Sequence, residues 1–166
     1  MLFHLNNRVQ HIAACCRRTL TESFVIDSRT VPYAALLLRL SLGVMFIAHA
    51  LLKLVVFTLP GTVGFFQSLG LPGVLAYVTF AAELVGGVLL VLGVRTRVVA
   101  AALIPILLGA TWAHAGNGWL FSAANGGWEY PLFLTAAAAV QALLGDGALA
   151  LRWRAATQLH PTGSVA

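Results

Sequence analysis

The chain has little charge, and acidic residues are especially scarce. Only 9% of its 166 residues are Asp, Glu, Lys or Arg, whereas about 25% is usual for a soluble globular domain. Hydrophobic residues make up 60% of the chain, and five acidic residues stand against ten Lys and Arg. These proportions exclude an ordinary soluble domain and favour one membrane domain surrounded by the lipid bilayer.

The basic residues form no continuous run. They stand singly and in pairs beside apolar segments, without the interleaved aromatic residues that nucleic-acid surfaces use. The net charge of +5 therefore gives no support to nucleic-acid binding.

Cysteine is also scarce, because the chain has two and they are neighbours, Cys15 and Cys16. A disulfide between adjacent residues is strained, and neither a C-x-x-C pair nor a zinc-ligand spacing is present. We interpret both as reduced thiols whose role the sequence does not define.

Familiar catalytic motifs are missing as well. The chain has no nucleophile elbow, no Gly-rich phosphate loop and no haem-attachment motif. Two His and two Glu residues spread over four helices do not assure a metal-ligand set, so no metal site is predicted. No catalytic residue is assigned, and whether the chain has an activity of its own stays open.

What the sequence does contain is long apolar runs. We predict an all-α fold, an integral membrane four-transmembrane-helix bundle at 33–151, preceded by a polar basic leader at 1–32 and followed by a short tail at 152–166. The leader contains either an interfacial helix or a flexible segment. Residues 61–71 are predicted to form an outer loop resting in the membrane interface. The predicted spans are 33–59, 73–94, 98–115 and 128–144.

The Lys and Arg residues outside the spans predict the topology. Four precede the first span, two lie in the turn at 95–97 and two follow the last span, whereas the connections at 60–71 and 116–127 have none. Since basic connections stay in the cytoplasm, both termini are predicted to be cytoplasmic.

Three cationic side chains interrupt the first span: Arg39, His49 and Lys53. A charge at the bilayer centre costs about 2.5–3.5 kcal/mol on insertion scales, so each should face protein or water. In an ideal helix Lys53 lies about 40° and His49 about 80° around the axis from Arg39. Glu83, near the middle of the second span, is the expected counter-ion, with Arg39 reaching it from below and holding it ionised.

The outer ends of the third and fourth spans add two more polar residues. We predict one pocket that opens outward, with Asn117, Asn125 and Tyr130 at its mouth. The candidate substrate-binding residues are Arg39, His49, Lys53, Glu83, His114 and Glu129. The alternative is a purely structural role, in which the same residues form buried ion pairs that fix the register of the helices. Close helix packing is predicted at Gly43, Gly86, Gly87 and Gly93.

Two kinds of function stay open for this pocket. A quinone or another small redox substrate would use His49 or Lys53 as hydrogen-bond donors and Glu83 as a proton acceptor. A non-enzymatic membrane protein would use the same residues to bind, transport or scaffold a small solute or a partner protein. The small residues at 136–139 also leave a homo-oligomer open.

An ordered set of motifs resembles the DoxX family of small four-helix membrane proteins. The resemblance covers about 36–151, with Ala50 and Asp146 as departures, where the family often has Gly and Pro. The matching residues are Arg39, Gly43, His49, Lys53, Phe65-Phe66, Leu69-Gly70-Leu71-Pro72, Glu83, Gly86-Gly87, Leu90, Gly93, Arg95-Thr96-Arg97, His114, Gly116, Glu129-Tyr130 and Leu144-Gly145-Asp146-Gly147.

The resemblance implies a multi-pass protein of the bacterial inner (cytoplasmic) membrane. Relatives in this family include a subunit linked to thiosulfate:quinone oxidoreductase and others associated with a membrane oxidoreductase complex used in oxidative-stress defence. The leading hypothesis is an oxidoreductase subunit that exchanges electrons or protons with the quinone pool, with the redox centre in a partner subunit. It is motivated by the convergence of Arg39, His49, Lys53 and Glu83 in an apolar bundle. No cofactor is identified in the chain itself.

Overall fold

The computed structural model describes residues 27–151. The predictions made for the leader up to residue 26, for its two cysteines and for the tail at 152–166 lie outside the described residues. The chain divides into two compact units, Met1–Val31 and Pro32–Ala166. In the first unit, the described residues form a turn in which the Asp27 carbonyl accepts a hydrogen bond from the Thr30 N–H at 3.1 Å.

Residues 27–151 contain helices and turns but no strand, which confirms the all-α prediction. Three helices are long and apolar enough to cross a membrane, over Val31–Val56, Val74–Leu92 and Thr96–Asn117, and a fourth apolar helix is shorter. The elements in chain order are α1 (Val31–Leu51) with a π-turn (Leu52–Val56), α2 (Leu59–Ser68), α3 (Val74–Leu92), α4 (Thr96–His114) with a 3-10 turn (Ala115–Asn117), and α5 (Glu129–Leu144).

The short helix α2 corrects the sequence prediction, because most of the expected loop at 61–71 is helical. The Thr58 hydroxyl accepts a hydrogen bond from the Gly61 N–H at 3.3 Å and caps the helix. Pro60 suits the first turn, where a helix leaves its N–H groups without partners. Gly61 and Gly64 lower the intrinsic helix propensity of this stretch, which is why the pattern favoured a loop.

The buried core draws on α1, α3, α4 and α5. Its members are Leu42, Phe46, Leu90, Ala100, Leu103, Leu107, Leu134 and Ala138. The outer surface of the same helices carries large exposed apolar side chains, such as Leu37, Val55, Val85, Phe133 and Leu143. A surface of this kind promotes aggregation in water but is well solvated by lipid. With three helices long enough to span, this is a multi-pass membrane protein.

Helices α1 and α3 approach each other closely where two buried glycines meet. A Cβ added at Gly43 would lie 2.9 Å from Gly87 O, and a Cβ added at Gly87 would lie 2.9 Å from Gly43 O and 3.0 Å from Ile47 N. The obstructing atoms belong to the backbone and cannot turn away. These two glycines therefore set the distance between the helices, and this distance brings α1 side chains within reach of α3.

Replacing Gly87 by Ala is expected to force α1 and α3 apart and to destabilise the protein by about 1–3 kcal/mol, the usual cost of overpacking. The free energy of unfolding in bicelles measures this loss. Gly109→Ala is the matched control, because no atom outside its own helix lies within 4 Å of the added methyl group. It should stabilise α4 by up to about 1 kcal/mol through helix propensity. Equal effects of the two substitutions would contradict the close packing.

Candidate functional site

Lys53 lies in a π-turn that follows α1. The Phe57 N–H donates to the Leu52 carbonyl at 2.9 Å, a hydrogen bond that spans five residues instead of four. The wider π-turn over Leu52–Val56 changes the phase of the residues that follow α1. The other four residues of this turn are exposed apolar side chains, whereas Lys53 is partly buried. The turn thus keeps its apolar side chains outward and its one cation inward.

Lys53 forms an ion pair with Glu83, which lies at the centre of α3. The distance between Lys53 Nζ and Glu83 Oε2 is 2.7 Å, and the side chains are 17% and 8% exposed. Glu83 is the tenth of the nineteen residues of α3, about 14 Å from either end of the helix. Each charge offsets the unfavourable burial of the other, as a charge inside a membrane requires.

The ion pair leaves hydrogen-bonding capacity unused. An ammonium group has three donors, and Lys53 makes one hydrogen bond to the residues described, the one to Glu83 Oε2. Glu83 Oε1 accepts none from residues 27–151. Two donors and one acceptor therefore remain for a small polar molecule.

His49, one turn before Lys53, connects α1 to α5. Its Nδ1 lies 2.8 Å from the Met45 carbonyl oxygen, and since a carbonyl only accepts, Nδ1 carries the proton. The imidazole stacks on the Tyr130 ring with a centroid distance of 5.8 Å and an angle of 20° between the planes. The sequence predicted His49 in the pocket and Tyr130 at its mouth, but not the stacking of the two rings, because the stacking joins residues far apart in the chain.

The predicted outer-rim residue His114 belongs to a separate group of contacts. Its Nδ1 lies 3.0 Å from the Asn125 carbonyl oxygen, and the Asn117 side-chain amide donates to the same carbonyl at 3.1 Å. These bonds connect the end of α4 to the loop before α5. His114 therefore has a structural role, which is to order this loop.

Glu129 is also engaged by this loop. Its Oε1 accepts a hydrogen bond from the Phe121 N–H at 2.9 Å, and the Glu129 N–H donates to the Trp119 carbonyl at 3.2 Å. The rings of Trp119 and Trp128 pack edge to face with centroids 4.6 Å apart. Glu129 thus supports the backbone of the loop at the first turn of α5.

Arg39 has partners other than the expected Glu83. It is 1% exposed, and its Nη1 and Nη2 donate to the carbonyl oxygens of Asp146 and Ala148 at 2.7 and 3.4 Å. In the described chain the cation paired with Glu83 is Lys53. The expectation that Arg39 holds Glu83 ionised is therefore wrong. The C-terminal end of the domain supplies carbonyl groups to this guanidinium, a contact that no sequence pattern indicated.

Asp146 also connects the segment 145–151 to the start of α4. Its Oδ1 accepts a hydrogen bond from the Thr96 N–H at 3.1 Å, so a residue fifty positions away caps the start of α4. The Leu151 N–H donates to the Leu92 carbonyl at 3.1 Å at the end of α3. The segment 145–151 thus contacts the ends of three helices, with Arg39 as its anchor on α1.

The six predicted site residues therefore fall into three groups. Lys53, Glu83 and His49 lie together in the bundle, His114 and Glu129 hold the loop before α5, and Arg39 holds the segment 145–151. Within residues 27–151, no three His, Cys, Asp or Glu side chains cluster closely enough to hold a metal ion. The candidate site is thus the Lys53–Glu83 pair with the adjoining His49–Tyr130 stack.

Comparison with known proteins agrees with this architecture. The DoxX family model matches residues 34–116, half of the chain. A Bacillus subtilis (strain 168) protein named "Putative oxidoreductase CatD" is 41% identical over 83 residues, which are 50% of this chain and 60% of that protein. The chain thus spans less than two thirds of this relative's length. No solved structure matches the chain significantly. The family match confirms the resemblance, and the chain belongs to the DoxX family.

Proposed function

We propose that this protein is the quinone-binding membrane subunit of an oxidoreductase system in the bacterial inner membrane. The observation that carries the proposal is the Lys53–Glu83 pair, held at 2.7 Å in the middle of an apolar bundle with donors and an acceptor still unused. The name of the Bacillus relative supports a redox role. Both chain termini lie in the cytoplasm in this proposal, as the distribution of basic residues favours.

The chemistry of the pair suits a quinone. Lys53 donates a hydrogen bond to one carbonyl oxygen of the head group. Glu83 accepts a proton from the aqueous side and passes it to the reduced head group, once for each of the two protons that the quinol requires. Reduction to the quinol takes up two electrons and two protons. A redox centre in a partner subunit supplies the electrons. The residues of this chain then bind the head group and deliver protons, while the apolar helices accommodate the isoprenoid tail.

A binding experiment tests this function on the intact protein. Wild type purified in a mild detergent should contain a quinone identifiable by mass spectrometry, and it should bind the short-chain analogue decylubiquinone. The matched variant is the double substitution Lys53→Met with Glu83→Leu, which removes both charges together and leaves no unpaired ion. Its affinity for decylubiquinone should fall at least about tenfold, since hydrogen bonds to charged groups contribute roughly 1.5–3 kcal/mol.

Two results would overturn the proposal. Equal binding by wild type and by a folded double variant would place the quinone elsewhere. Folded wild type that contains and binds no quinone would favour the non-enzymatic alternative, in which the chain binds, transports or scaffolds another molecule. Circular dichroism of each preparation establishes that the proteins compared are folded.

A further inference from the structure

A buried hydroxyl group in the bundle has no hydrogen-bond partner. The Tyr130 hydroxyl oxygen is inaccessible to solvent and is not bonded to any of the residues described. Its ring packs against the hydrophobic core of the bundle. A buried phenol normally finds a partner, because leaving one unpaired costs about 1–3 kcal/mol. The position of Tyr130 thus indicates an acceptor that residues 27–151 do not provide.

The surroundings of Tyr130 identify the kind of acceptor. Its ring stacks on His49, and His49 lies one turn before Lys53 on the same helix. The imidazole is itself held by the Met45 carbonyl at 2.8 Å, so it fixes the ring of Tyr130 from one side. An uncharged donor on α5 thus stacks on the histidine that precedes the charged donor by one helical turn. A head group with two carbonyl oxygens has the acceptors to match both.

We infer that the Tyr130 hydroxyl donates a hydrogen bond to the second carbonyl oxygen of the bound quinone, while Lys53 donates to the first. This inference rests on the proposed function and adds to it the residue that recognises the far side of the head group. His49 is the positioning residue, because it holds the Tyr130 ring by stacking. The uncharged hydroxyl selects a neutral carbonyl, since a phenol does not balance the charge of an anion inside the membrane.

The variant Tyr130→Phe tests the inference because it removes one oxygen and keeps the ring that stacks on His49. Its affinity for decylubiquinone should fall about three- to tenfold, the effect of one neutral hydrogen bond. The carbonyl stretching band of bound, ¹³C-labelled decylubiquinone should also move to higher frequency in the infrared difference spectrum. Tyr77→Phe is the matched control, because Tyr77 is half exposed on α3, and it should change neither measurement.

The outcomes separate this inference from the proposed function. If wild type binds the quinone and Tyr130→Phe leaves both affinity and carbonyl frequency unchanged, the hydroxyl binds a water molecule instead, and the inference is overturned while the proposed function stands. If Tyr130→Phe weakens binding without moving the carbonyl band, the effect is one of packing, and the inference is again overturned. If folded wild type binds no quinone, both the proposed function and the inference fail.

Discussion

Replacing Lys53 by Met alone should lower the free energy of unfolding by about 3–5 kcal/mol, the usual cost of leaving one member of a buried ion pair without its partner. The reason is that Glu83, 8% exposed at the centre of α3, would lose the cation 2.7 Å from its carboxylate. Glu83→Leu should have an effect of similar size, because it leaves the ammonium group unpaired. Reversible unfolding with SDS, followed by far-UV circular dichroism, measures both losses.

The double variant is the control for this prediction. Lys53→Met combined with Glu83→Leu removes both charges, so its stability should return to within about 1 kcal/mol of wild type or exceed it. The resulting coupling free energy belongs to the pair and not to either side chain alone. Single variants that cost less than about 1 kcal/mol would show that water solvates the pair, contrary to its burial in the structure.

Replacing Gly93 by Ala should have the second large effect, at the end of the bundle where the segment 145–151 packs. Gly93 ends α3 with a φ of 75°, which costs a residue with a side chain roughly 1–2 kcal/mol. An added Cβ would also collide with Arg39 Nη1, and it would lie 2.8 Å from the Cα of Ala150. Arg39 would have to leave its carbonyl acceptors, at a further cost of about 1.5–3 kcal/mol for hydrogen bonds to a charged group. The free energy of unfolding in bicelles gives the total.

Gly70→Ala separates the two contributions to this effect. Gly70 has a φ of 76°, but no atom lies within 4 Å of a Cβ built there. The control should therefore lose only the backbone contribution, roughly 1–2 kcal/mol. If Gly93→Ala were no more costly than Gly70→Ala, the contact with Arg39 would contribute nothing to stability. Quinone binding by a folded fraction of Gly93→Ala should be retained, because Arg39 forms its hydrogen bonds with Asp146 and Ala148 and Glu83 is paired with Lys53.

The separation of Arg39 from Glu83 changes how the buried charges are understood. Arg39 holds the segment 145–151 through the carbonyl groups of Asp146 and Ala148, which is a structural role. Lys53 and Glu83 keep unused hydrogen-bonding groups, which is the property a binding site needs. A buried charge in a membrane helix is thus not by itself a sign of function. Unused hydrogen-bonding capacity is not such a sign either, because the buried Arg39 Nε also has no partner among residues 27–151.

The sequence alone determined the helical class, the membrane setting and the family. Long apolar runs in a chain with 9% charged residues indicate membrane helices. A helix satisfies its own backbone N–H and C=O groups, which are too costly to leave without hydrogen bonds in lipid. The same reasoning identified Lys53 and Glu83 as residues that need partners, since isolated charges are excluded from the bilayer centre. The ordered motifs then indicated the DoxX family, which the family model confirmed over 34–116.

Only the tertiary structure determined which partner each buried charged side chain has. Sequence spacing predicted which face of the helix carries Lys53, but not its distance from α3. The close approach of Gly43 to Gly87 sets that distance. The partners of Arg39 lie more than a hundred residues away and are backbone carbonyls, which every residue possesses. Contacts made by backbone atoms leave no residue-type signature, and so the pairing had to come from the packing of the helices.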